Sequence, residues 1–240
     1  MTEEQWHLET NWERHFEHIG NRLSERKHRL LAAGFCRQLW HLIEDQPVRD
    51  AIETAEHYVE KRATVAELER ARRQCRDLAS KWGHESMKLA ESSQDLASIA
   101  AHLRSDLAWL GAFLTAGQFD VKTIGARAIL ALRAENLVQG DAPSRALDYQ
   151  HLQQQREVLL DLAGDPFRPI EFLLEWRTST VLALAKSMAE SRDFAVMPIL
   201  ADALEDAGCE AEEVLSHCRG SGPHYLGCWV MDGVLADEAR

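Results

Sequence analysis

The chain has 240 residues, of which 45% are apolar and 28% charged, enough apolar material for a packed core and too much for a disordered chain. Acidic side chains outnumber basic ones by 39 to 27, for a formal charge of −12. Such a surface repels nucleic acid and anionic membranes, so neither is an expected partner. The longest apolar runs, such as Val181–Ala185, fall far short of the ~20 residues of a membrane span. The acidic, polar segment Met1–Trp12 does not read as a signal peptide.

In chain order, a helix is expected over Trp6–Ile19 and another over Ser24–Ile43, where Leu30, Leu31, Phe35, Leu39 and Leu42 share one stripe. Pro47 suits the first turn of a helix ending near Arg62. Thr64 with Glu67 three residues later makes a capping box, which opens a charged helix to about Trp82. A long helix is expected from Glu85 to Ala116, closed by Gly117. Helices over Lys122–Val138 and Ser144–Ala163 follow, separated by the turn-forming Gly140, Asp141 and Pro143.

The stretch Gly164–Ile170 carries Pro166 and Pro169, and proline pushes its predecessor out of the helical region, so this is the expected boundary. Short helices are expected at Thr178–Glu190, Asp193–Asp206, Glu210–His217 and Pro223–Leu235. The fold class is therefore all-α, with a multi-helix bundle over residues 1–163 and a compact, repeat-like helical unit over 164–240 packed on it.

Five cysteines (Cys36, Cys75, Cys209, Cys218 and Cys228) are an odd number and not the pattern of a disulfide scaffold, so a reducing, cytoplasmic setting is expected. The densest set of soft ligands is C-terminal: Cys209, His217, Cys218, His224 and Cys228. Zinc wants four such side chains in a tetrahedron, and His224 and Cys228, four apart on an expected helix, would share one face. Against this, there is no Cys-x-x-Cys pair, and His217 and Cys218 are adjacent and so point about 100° apart on a helix. The expected role of the five is a packed, hydrogen-bonded cluster with no cofactor, zinc being the metal to test for.

A Cys–His nucleophile pair lacks a recognisable orienting group and oxyanion donor. For a carboxylate-bridged metal bundle, Glu4 with His7 fits the Glu-x-x-His motif once and Asp148 with His151 is a poor second. There is no phosphate loop, dinucleotide fingerprint, zincin motif or nucleophile elbow, which argues against an enzyme. The basic run Arg70, Arg72, Arg73 and Arg76 is interleaved with Glu67, Glu69 and Asp77 and reads as a solvated helix face. Of seven tryptophans, Trp40, Trp109, Trp176 and Trp229 are assigned to cores, Trp82 is unassigned, and Trp6 and Trp12 are candidates for contact with a partner.

Two stretches carry a resemblance. Arg26–Leu42, with Ala55–Tyr58 and Ala63–Leu68, is similar to the N-terminal part of a set of paralogous, functionally uncharacterised proteins of planctomycete bacteria. The C-terminal hallmark resembles theirs at Asp165–Pro169, Trp176–Thr178, Pro198–Leu204 and His217–Trp229. In that family the tail occurs beside other modules, which implies an interaction or regulatory role. The amphipathic middle of this chain, about residues 81–156, replaces the Ala/Trp-rich repeats common among relatives, so no role transfers to it.

The function expected is a non-enzymatic interaction or adaptor protein with another protein as partner, in a bacterial signalling or defence complex. The alternative is a metal-dependent helical-bundle enzyme or a zinc-stabilised module. Oligomeric state is open.

Overall fold

The structure is a computed structural model that describes residues 1–92, 95–140 and 144–236. Among the described residues there are twelve α-helices and no strand, so the all-α architecture holds. No described helix is long and apolar enough to cross a membrane. The chain divides into two compact units, residues 9–156 and residues 1–8 together with 157–240. The division falls inside the helix that precedes Gly164, and the N-terminal helix is grouped with the C-terminal residues rather than with the bundle that follows it.

The expected helix over Trp6–Ile19 is two, α1 (Glu3–Leu8) and α2 (Trp12–Ile19). Side chains win the competition for the backbone here. Glu9 Oε1 accepts the N–H groups of Thr10 and Asn11, both at 2.9 Å, and Asn11 Oδ1 accepts that of Glu13 at 2.8 Å, which starts a fresh helix.

In the larger unit, α3 (Glu25–Gln38) is capped by Ser24, and α4 (Gln46–Val59) carries Pro47 in its first turn. The capping box at Thr64 and Glu67 opens α5 (Val65–Glu91), which runs through Gly83 without the expected break near Trp82. Tertiary packing overrides glycine's weak helix propensity: α6 (Asp95–Leu114) lies alongside, antiparallel, with Ser105 Oγ donating to the Ala79 carbonyl and Ser86 Oγ to that of Ser98. Asp120 caps α7 (Val121–Gln139), which ends on Gly140 in the left-handed region at φ 87°, while Asp141 and Pro143 lie outside the described residues.

The last helix of this unit, α8 (Arg145–Ala163), is tied to α7 by Gln155, whose amide donates to the Gly125 carbonyl at 2.8 Å. Leu30, Leu31, Phe35, Leu39, Ile52, Leu110, Leu114 and Ile124 are buried in this unit. The guanidinium of Arg29, also buried, donates to the carbonyls of Leu114 and Ala116 and so closes the C-terminal end of α6.

The smaller unit holds α1, the last turns of α8, α9 (Ser179–Ser191), α10 (Met197–Asp206), α11 (Glu212–Arg219) and α12 (Trp229–Leu235). Its core includes Val181, Met188, Leu200, Leu204, Val214, Val230 and Val234. At the Asp165–Pro169 stretch, Asp165 accepts the Phe167 N–H at 2.9 Å and Arg168 pairs with Glu3.

The tryptophan assignment is overturned at Trp6 and Trp12 and holds at Trp176. Trp6 and Trp12, expected to face a partner, are 2% and 0% exposed. Trp12 stands edge-on to Phe35 at 4.7 Å, and Trp6 meets Phe167 at 6.3 Å. Trp40, Trp109 and Trp229 are only half-buried, whereas Trp176 is in the core as expected.

Candidate metal centre

Three of the five soft ligands come together, and the sequence-expected helix is not what unites them. Helix α12 starts at Trp229 rather than near Pro223, so His224 lies in the preceding loop and Cys228 sits at the helix N-cap. Gly227, at φ 86°, turns the chain between the two. His217 projects from α11. The fourth member is Asp161, on the last turns of α8.

The ligand atoms of Asp161, His217, His224 and Cys228 all lie within 4.8 Å of one another. Nε2 of His217 is 3.1 Å from Cys228 Sγ and 3.2 Å from Asp161 Oδ1. Nδ1 of His224 is 2.8 Å from the same Oδ1, and the Tyr225 N–H donates to Asp161 Oδ2 at 2.9 Å. The two imidazole rings meet edge to face at 4.9 Å, with Trp229 5.2 Å from His217. Asp161 is 4% and Cys228 0% exposed; the His217 side chain, at 21%, is the most open of the four.

Electrostatics at this point oppose one another. Burial alone would raise the Asp161 carboxyl; hydrogen bonding to His217 and His224 overrides it and holds the group below its ordinary range. Burial, and then the neighbouring Asp161 charge, push the Cys228 thiol well up. A buried thiol held protonated is a poor nucleophile.

The geometry also differs from a nucleophile relay, in which the base uses one nitrogen toward the nucleophile and the other toward the orienting carboxylate. Here a single nitrogen of His217 faces both Cys228 and Asp161. Four donor atoms within 4.8 Å of one another make a set able to hold a cation.

Cys209 and Cys218 do not join them. Both are buried in the apolar core of the smaller unit, and burial pushes the Cys218 thiol up to about 12. All five cysteines are free thiols. Asp161 was missed at the level of sequence, yet it left a signal: it is the one charged side chain in the run Val158–Ala163. No protein-family model, curated protein or solved structure matches the chain.

Proposed function

We propose that this chain is a non-enzymatic interaction or adaptor protein whose partner is another protein, a role the planctomycete resemblance also implies. The observation that carries the reading is an apolar row left in solvent on α7. Leu130 and Leu137, seven apart and so on one face, are 52% and 41% exposed, with Val138, 38% exposed, on the flank, while Val121, Ile124, Ala128 and Leu132 of the same helix are buried. On α8, Tyr149 is also exposed, beside Asp148, which pairs with Arg133 of α7 at 2.6 Å. Exposed apolar residues gathered on one helix face mark interaction sites more often than those scattered singly.

The buried cluster around Asp161 fits the same reading, because one carboxylate oxygen is engaged by His217 Nε2 and His224 Nδ1 and the other by the Tyr225 N–H. Its role is to hold the C-terminal helices, and binding is left to the surface. The partner surface is neutral or basic, since the formal charge of −12 disfavours an acidic one.

The experiment is reciprocal co-purification from the native cell, wild type against the double variant Leu130→Asp and Leu137→Asp, with folding of both checked by circular dichroism. The expected result is a partner retained by the wild type and lost by the folded double variant. Equal retention by both removes α7 as the interface. Turnover of a substrate by the purified chain overturns the adaptor reading.

A further inference from the structure

We propose that Asp161, His217, His224 and Cys228 form a structural zinc site that clamps the end of α8 to α11, the loop before α12 and the N-terminus of α12. The inference does not depend on the interaction reading.

The first support is geometric. Zinc binds sulfur at about 2.3 Å and nitrogen or oxygen at about 2.0–2.2 Å, which places the corners of a tetrahedron about 3.3–3.8 Å apart. The separations of 3.2 Å from Asp161 Oδ1 to His217 Nε2 and 3.1 Å from that nitrogen to Cys228 Sγ lie near this range, the 2.8 Å from Asp161 Oδ1 to His224 Nδ1 is shorter, and every pair is within 4.8 Å. Small rotations of side chains complete it.

The second support is charge. One carboxylate and one thiolate neutralise a divalent cation, so a bound ion leaves the buried assembly of donors without net charge. The third is donor chemistry. One sulfur, two imidazole nitrogens and one carboxylate oxygen suit a borderline metal in tetrahedral coordination, whereas calcium and magnesium take oxygen throughout.

A fourth support comes from the surroundings. Ligating groups are ordinarily oriented by partners of their own, and Asp161 has the Tyr225 N–H at 2.9 Å on the oxygen that faces away from His217 and His224. His224 turns Nδ1 toward the cluster, 2.8 Å from Asp161 Oδ1. Four protein ligands in a buried site describe a structural centre, since a catalytic one keeps a position open.

The test uses the full chain. Elemental analysis of protein purified without chelator should find about one zinc per chain. Cobalt titrated into the metal-free chain should give intense visible bands of tetrahedral coordination and a thiolate charge-transfer band in the near ultraviolet. Cys228→Ser should abolish the charge-transfer band and weaken binding by more than the about 10–100-fold that losing an outer hydrogen-bond partner costs. Cys209→Ala and Cys218→Ala should keep it.

A chain with no stoichiometric metal and no cobalt–thiolate band overturns the site. A different metal at the same ratio overturns the assignment to zinc, and loss of the band in Cys218→Ala overturns the choice of thiolate. If Cys228→Ser fails to fold, the cobalt spectrum of the unaltered chain decides alone.

Discussion

Tryptophan burial in this chain follows from its neighbours. Trp12 is enclosed because Gly125 lets α7 approach it: a Cβ there would stand 2.5 Å from the indole ring and 3.1 Å from Phe35. Trp40 and Trp82 instead lie half-buried under guanidinium groups, Arg37 at 4.1 Å and Arg104 at 3.8 Å from the ring centroids. The amino-acid type alone announces a large apolar ring; which ring is enclosed depends on a glycine more than a hundred positions away. Trp12→Ala should therefore cost about 3–5 kcal/mol, as deletion of a fully buried aromatic does. Gly125→Ala should cost about 1–3 kcal/mol through overpacking. Urea denaturation measures both, and a loss under about 0.5 kcal/mol, the scale of an ordinary surface substitution, would place Trp12 outside the core.

The boundary written in the spacing of a capping box was readable, while the break made by Glu9 and Asn11 and the boundaries settled by packing were not. Thr64 and Glu67 cap α5 as their spacing requires, but Gly83 does not end it, because α6 lies against it. The segment before Trp229 carries helix-like spacing yet is a loop, drawn to α8 by the Tyr225 N–H on Asp161.

Asp120 offers a clean test of a cap. Its carboxylate accepts the N–H groups of Lys122 and Thr123, and its carboxyl is held below the usual 3.8, chiefly by the Thr123 hydroxyl, against an opposing effect of burial. A folded-state value below the unfolded one means the contribution is complete above the unfolded value and is lost as pH falls through the folded one. Asp120→Ala should cost about 1 kcal/mol at neutral pH, and the gap from wild type should close in acid as pH falls below 3.8 and through the folded value. A gap that stays constant from neutral pH into acid would show that the carboxylate is not the source.

At the scale of the whole molecule, two compact units with separate sets of buried residues predict separable responses. In calorimetry of the full chain, Trp12→Ala should lower the transition of residues 9–156, and chelator should lower that of the C-terminal residues, since a ligand's binding energy is also folding energy. A single transition moved equally by both treatments would mean one cooperative unit.

Sequence by itself determined the helical class and most helix positions, and its five soft side chains included the three that meet, His217, His224 and Cys228. These depend on local periodicity, capping chemistry and residue type, all carried within a few positions of the chain. Only the tertiary structure brought Asp161 to them, set Cys209 and Cys218 apart in the core, and buried Trp6 and Trp12. Each of these outcomes rests on residues distant in sequence, such as Asp161 with His224 or Trp12 with Gly125, and such pairings have no local signature because the intervening chain can close the loop in many ways.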